Sequence, residues 1–370
     1  MTVVAEWRNA YKGRRVLVTG HTGFKGGWLS LWLAKLGARV VGFSLPPVEP
    51  PCLFSAARVG EHLTHIEGNV CDFGHLRAVW QATRPEIVFH LAAQPLVRES
   101  YRNPIATVQT NVLGTSHVLE TGRVEGRPVA VVFITSDKCY AENEQCNGYR
   151  ESDRLGGPDP YSATKAAAEL LIDSYRRSFF PPEQLIQHGV AIASVRAGNV
   201  IGGGDWSADR LVPDCIRSLV AGQPIQVRSP QAVRPWQHVL APLSGYLALG
   251  ARLLDHSPSA AATFCEAWNF GPTPQHSKSV RDLVDSLIAC WGSGKWNSDI
   301  PPSQWYETPL LYLSSEKARD RLGWFPRWNF AETIRATVDW YRAFYQGKDM
   351  TRVCVQQIAH YMEAITNGNE

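Results

Sequence analysis

Arg14–Gly20, RRVLVTG, running on into His21-Thr22-Gly23-Phe24-Lys25-Gly26, is the stretch that decides the fold. A short, β-branched apolar run ending on glycine reads as a buried parallel strand. Phe24–Leu36 follows with helical period, and Gly37 is placed to end that helix. Gly20, Gly23 and Gly26 have G-x-x-G-x-x-G spacing at the strand-to-helix junction. Glycines let backbone amides approach a pyrophosphate, and a helix N-terminus favours its negative charge. The junction therefore predicts a dinucleotide seat. The second strand, Arg39–Phe43, ends at Ser44, where an NAD site usually has an acid for the adenosine ribose. No arginine stands beside Ser44 to meet a 2′-phosphate, so this strand leaves NAD and NADP both open.

Outward from the junction the alternation continues. Helices are predicted at Leu76–Thr83, Pro104–Thr121 and Pro160–Ser178, and strands at Glu86–Ala93, Val129–Ser136 and Val190–Ala197. Strands alternating with helices give βαβ units, hence an α/β fold with a Rossmann-type, doubly wound parallel sheet. After Gly198 the regularity weakens. Pro224–Arg228 and Ala267–Phe270 read as short isolated strands, with helices at Val280–Trp291 and Phe330–Tyr345. The expectation is a Rossmann domain over residues 1–198 and a smaller mixed α/β substrate lobe over 199–370. That lobe would cover the sheet's carboxyl edge, with some chain crossing back.

A net charge of +3 without a basic run gives no argument for nucleic-acid binding. The eight cysteines lack C-x-x-C spacing and a histidine cluster, which argues against a zinc site or a disulfide framework. The N-terminus has no apolar signal core, and no apolar stretch is long enough to span a membrane, so the cytoplasm is expected.

Tyr161-Ser162-Ala163-Thr164-Lys165 is Y-x-x-x-K on a predicted helix. The i, i+4 spacing puts both side chains on one face. A lysine cation beside a phenol would draw its pKa down from about 10, making a base for a hydroxyl proton.

Taken together, the glycine loop, Leu91-Ala92-Ala93-Gln94, Asn111, Thr135-Ser136 and Tyr161/Lys165 resemble the extended short-chain dehydrogenase/reductases. Five longer stretches resemble the branch of sugar-nucleotide 4,6-dehydratases that acts on CDP-glucose. They are Gly20–Leu29, Ala92–Arg98, Thr135–Tyr140, Arg196–Trp206 and Arg234–Val239, and the likeness runs from about residue 10 to 360. The resemblance implies bound NAD, oxidation at carbon 4 of the hexose, loss of water across carbons 5 and 6, and reduction at carbon 6. It assigns catalysis to Tyr161, Lys165, Ser136, Asp137 and Lys138. Asp137 would be the acid, while Lys138 would be either a neutral base or a charged stabiliser of the enolate. It assigns the cofactor to Gly20, Thr22, Gly23, Phe24, Lys25, Gly26, Ser44, Asn69, Val70, Leu91, Ala92, Ala93, Thr110, Thr135, Tyr161 and Lys165. Asn69 and Val70 fall at the adenine, and Thr110 and Asn111 on the nicotinamide side. For the sugar nucleotide it implies Gln94, Arg98, Asn199, Arg210, Val227, Arg234 and Asn269, with Asn199 and Arg234 on the diphosphate. No metal is implied, and the expected assembly is a homodimer or a dimer of dimers. Two rivals share part of the pattern. A sugar-nucleotide epimerase or reductase would lack the Asp137–Lys138 pair, and a dinucleotide sensor would have lost Tyr161 or Lys165.

Overall fold

The short apolar runs at Arg15–Thr19, Arg39–Ser44, Ile87–His90, Val129–Ile134 and Val190–Arg196 become strands of one seven-stranded parallel sheet. The strands are β1 (Arg15–Thr19), β2 (Arg39–Ser44), β3 (Thr64–Glu67), β4 (Ile87–His90), β5 (Val129–Ile134), β6 (Val190–Arg196) and β7 (Ala267–Asn269). The computed structural model describes residues 3–142, 148–272, 277–298 and 312–367. The sheet order is β7-β6-β5-β4-β1-β2-β3, and every pairing is parallel. β4, β5 and β6 are buried along their whole length, as continuous apolar runs between two helical layers must be. The chain leaves β1 towards β3 at one edge, then restarts at β4 on β1's other side. That reversal opens a crevice between the carboxyl ends of β1 and β4, where such sheets bind ligands.

Three features depart from the sequence reading. β3 was not anticipated, because Thr64–Glu67 holds a single aliphatic residue, Ile66, and forms the sheet's edge. Ala267–Asn269 is not isolated: it pairs with β6 as the sheet's last strand, Trp268 opposite Val195. The predicted helix Pro104–Thr121 is three segments, an α-turn Pro104–Val108, a π-helical turn Gln109–Leu113 and an α-helix Gly114–Glu125. A π-turn inside a helix commonly marks a functional site.

Beyond residue 198 the chain both covers the carboxyl edge and returns to the sheet. Short pairs, Val200–Ile201 with Gln237–His238 and Val233–Pro235 with Ser277–Ser279, brace the lobe. Helix Leu240–Leu253 packs under the sheet, with the Tyr11 hydroxyl donating to the Leu247 carbonyl at 2.8 Å. It is buried almost all round, so it shows no amphipathic period to read. The final helix, Met350–Asn367, brings Tyr361 against Trp32 of helix Phe24–Lys35. One apolar core thus runs from Val4 to Ile365. No described helix is long and apolar enough to cross a membrane.

Candidate active site

The glycine loop divides its labour. Gly20 has φ +78°, and a Cβ there would lie 2.7 Å from the Ala92 nitrogen; at Gly26 it would lie 2.1 Å from the Gly20 carbonyl oxygen. Both glycines are required by the protein's own packing. Gly23 is exposed and has no such neighbour. It caps helix Phe24–Lys35 without any side-chain cap, leaving first-turn amides for a ligand. Leu91, Ala92 and Ala93 follow β4 across the crevice, with Leu91 N–H on the Thr19 carbonyl at 3.1 Å and Ala92 N–H on Thr19 Oγ1 at 3.3 Å. This cradle fits a dinucleotide pyrophosphate.

At the ribose end, Ser44 is buried and its Oγ lies 2.8 Å from Thr22 Oγ1, which donates to the Leu45 carbonyl at 3.1 Å. His21 packs beneath β2 with Nε2 2.6 Å from His65 Nδ1. Burial, then the neighbouring His65, lowers the His21 pKa to about 4, so the ring is neutral. Nothing in the sequence pattern links these two histidines.

Val70 is buried against Gly114, while Asn69 turns its Oδ1 back to accept the Cys71 N–H at 2.9 Å. Thr110 hydrogen-bonds the Cys71 side chain. That places Thr110 beside the turn that carries Asn69 and Val70. Asn111, the next residue of the same π-turn, bonds Thr164 Oγ1 at 3.0 Å and the Gln94 carbonyl at 3.1 Å.

Helix Pro160–Ser178 begins as its sequence dictates. Asp159 caps the Ser162 N–H at 3.0 Å and Pro160 opens the first turn. Ser100 Oγ accepts the Tyr161 N–H at 3.1 Å and ties the helix to the segment after β4. The Tyr161 hydroxyl is buried with a hydrogen bond to Ser136, and Lys165 is buried one turn on. Desolvation pushes Tyr161 up to about 12 and brings Lys165 down to about 8. Attraction within the pair would draw the phenol down, but in the closed pocket burial favours the neutral form of each.

Asp137 is 5% exposed and takes a hydrogen bond from Ser136 Oγ at 3.0 Å. Its other oxygen lies 3.5 Å from Asn199 Nδ2, so that amide points to Asp137 rather than to a diphosphate. The carboxylate fits only because residue 198 is glycine. Lys138 is half-buried, its N–H held by Ser136 Oγ at 3.2 Å. Phe24 lies under Gly202 of the lobe. Lys25, beside Phe24, is electrostatically coupled to Arg210, Asp137, Lys165 and Asp205; burial first and Arg210 next lower it to about 8. The structure therefore gathers Tyr161, Ser136, Asp137, Lys165, Lys25 and Arg210 at one place.

The side chains of the remaining candidates have partners within the protein. Gln94 spends its side chain on its own loop, donating to the Leu96 carbonyl and Thr107 and accepting the Leu96 N–H. Asn269 is fully buried beneath the site, with Oδ1 on the Tyr140 hydroxyl and Nδ2 on the Tyr149 carbonyl. Thr135 is buried with its hydroxyl on Glu169 Oε1 at 2.5 Å. Val227 is buried in the lobe, and Arg234 Nη1 donates to the Val233 carbonyl at 2.9 Å. Arg98 and Arg210 pair with Asp209 and Asp205.

Glu169 was not singled out from the sequence, yet it organises the floor of the site. It accepts from Thr135, from Ser194 at 2.8 Å and from Arg196 at 2.7 Å; Arg196 also donates to Tyr140 at 2.7 Å. Removing one partner leaves a buried charge unpaired, so Glu169→Ala is expected to lose about 3–5 kcal/mol of stability. Urea unfolding measures this, and an unchanged midpoint would contradict it.

The model of the NAD dependent epimerase/dehydratase family matches residues 16–250. The chain is 48% identical over 360 residues to CDP-glucose 4,6-dehydratase of Salmonella typhimurium, covering 97% of this chain and 99% of that one. Two solved structures share the fold. UDP-glucose 4-epimerase of Thermotoga maritima with UDP-glucose has a TM-score of 0.76 at 23% identity, over 89% of this chain and 99% of that one. The DesIV double mutant, a dTDP-glucose 4,6-dehydratase of Streptomyces venezuelae with NAD bound, has 0.75 at 22%, over 91% and 99%. From its glycine loop to its Tyr161–Lys165 helix, and by these likenesses, the chain belongs to the NAD dependent epimerase/dehydratase family.

Proposed function

We propose that this enzyme is an NAD-dependent hydro-lyase that converts CDP-D-glucose to CDP-4-dehydro-6-deoxy-D-glucose and water. The observation that carries this reading is Asp137, a buried carboxyl hydrogen-bonded to the serine that also holds Tyr161. Epimerisation at carbon 4 needs no acid there; elimination of a hydroxyl does. Identity of 48% to the CDP-glucose enzyme over nearly the whole chain supports the choice of nucleotide.

In this reading the loop Gly20–Gly26 and helix Phe24–Lys35 hold the NAD pyrophosphate, with Asn69, Val70 and Thr110 at the adenine. Bound there, NAD would supply the redox chemistry, as acceptor of the carbon 4 hydride and its donor to carbon 6. Tyr161 takes the proton of the 4-hydroxyl, and Ser136 fixes the phenol's direction. The ketone so formed acidifies the hydrogen on carbon 5. Lys138 serves that carbon, as a neutral base or as a cation facing the enolate. Asp137 protonates the 6-hydroxyl, which leaves as water. Purified protein incubated separately with CDP-, dTDP-, UDP- and GDP-hexoses is expected to form a 4-keto product, absorbing in alkali, from CDP-glucose. No product from any of the four would overturn the dehydratase reading.

We further propose a homodimer. Ile105 and Leu170 are 70% and 60% exposed on neighbouring helices, with Val108 and Leu113 also exposed. An apolar face of this kind fits a second copy of itself. Leu170→Asp is expected to convert the dimer to a monomer by light scattering; an unchanged mass would count against this face. The described cysteines are free thiols, which suits a reducing compartment, and supports placing the enzyme in the cytoplasm.

A further inference from the structure

An ion pair joins the two sides of the site. Arg98 lies on helix Val97–Arg102 after β4, and Asp209 lies 111 residues later, beyond Gly202–Gly204. Arg98 Nη1 is 2.5 Å from Asp209 Oδ1, with the side chains 21% and 29% exposed. Arg228 reaches the same oxygen at 3.8 Å from the lobe. Both ends are tied to the reacting groups. Two residues after Arg98, Ser100 holds the Tyr161 N–H. Directly after Asp209, Arg210 is electrostatically coupled to Tyr161 and Lys25. Asp209 also has φ +62°, in the left-handed region that costs a non-glycine residue energy.

We propose that Asp209 is an internal stand-in for the substrate's diphosphate, occupying an anion seat made by Arg98 and Arg228 that a nucleoside diphosphate takes over. This rests on the sugar-nucleotide reading above. Two guanidinium groups, one from the helix after β4 and one from the lobe, converge on one carboxylate oxygen at 2.5 and 3.8 Å and supply charged donors of the kind a diphosphate takes. A diphosphate carries more charge and more acceptor oxygens than one carboxylate, so it wins the seat.

The rival device is a closure latch, in which the same ion pair shuts the cleft over bound substrate. The two differ in sign. Breaking a latch from either end weakens ligand, whereas a stand-in and its seat act oppositely. The test is calorimetric titration of the NAD-loaded protein with CDP and with UDP. Asp209→Asn keeps the side chain's shape and suits a left-handed backbone, removing only the charge. It is expected to tighten CDP about fivefold, since a partly exposed ion pair is all that must be broken. Arg98→Gln and Arg228→Gln are expected to weaken CDP by a similar factor. Weaker or unchanged nucleotide binding in Asp209→Asn, with both nucleotides, would overturn the stand-in. Failure of the substrate reading shows separately, as wild-type protein that binds nucleotide but turns over no CDP-glucose.

Discussion

Gly198→Ala is expected to lower turnover of CDP-glucose by about 10²-fold or more, within the range removed by loss of a general acid, while the protein still folds. A methyl group there would lie 1.7 Å from Asp137 Oδ2, 2.0 Å from its Cγ and 2.4 Å from Oδ1. Two features make the clash decisive. The Asp137 side chain is short and buried, held between Ser136 and Asn199, so it can escape only by leaving that position. Gly198 has no left-handed backbone, so alanine adds only the methyl. Steady-state kinetics beside a thermal melt measures the effect. Wild-type kcat in a folded Gly198→Ala protein would show that the Asp137 position is irrelevant to elimination.

Tyr161→Phe is the second large effect. It removes one oxygen from a buried position and leaves the ring packing intact. The oxygen is the group that takes the hydroxyl proton, and such groups are worth about 10²–10⁴-fold in rate. The pH dependence should change as well. Burial raises the Tyr161 pKa to about 12, so wild-type turnover is expected to climb as pH rises through the neutral range and the phenol sheds its proton more readily. The phenylalanine variant has no such proton and should lose that climb. A variant that retains full activity, or the same pH profile, would mean that another group is the base.

How far the sequence reaches can be judged from particular residues. The glycine junction was legible because its spacing and the apolar run before it are local. Helix Pro160–Ser178 was legible because Asp159 and Pro160 announce its start. Strand β7 was not: three residues, Ala267–Asn269, carry no period, and only the edge of β6 makes them a strand. Within the site, the residue types around Tyr161 and Asp137 were readable, but their environment was not. Desolvation dominates the Tyr161 and Lys165 pKa values, and burial of a helix face exists only once the sheet and lobe close over it. Glu169 sits four residues after Lys165 and reads as an ordinary surface glutamate until Arg196 is seen against it. Gln94 and Asn269 had suitable chemistry, but the fold commits their side chains to the protein's own backbone and to Thr107 and Tyr140.

The most direct test is the product formed from CDP-glucose in deuterated water, examined by NMR. An elimination assisted by Asp137, with proton removal at carbon 5, predicts a 6-deoxy-4-ketohexose. Its carbon 6 is a methyl group, and its carbon 5 carries deuterium from solvent. A product that keeps its 6-hydroxyl, with only the configuration at carbon 4 changed, would make the enzyme an epimerase and contradict the role given to Asp137.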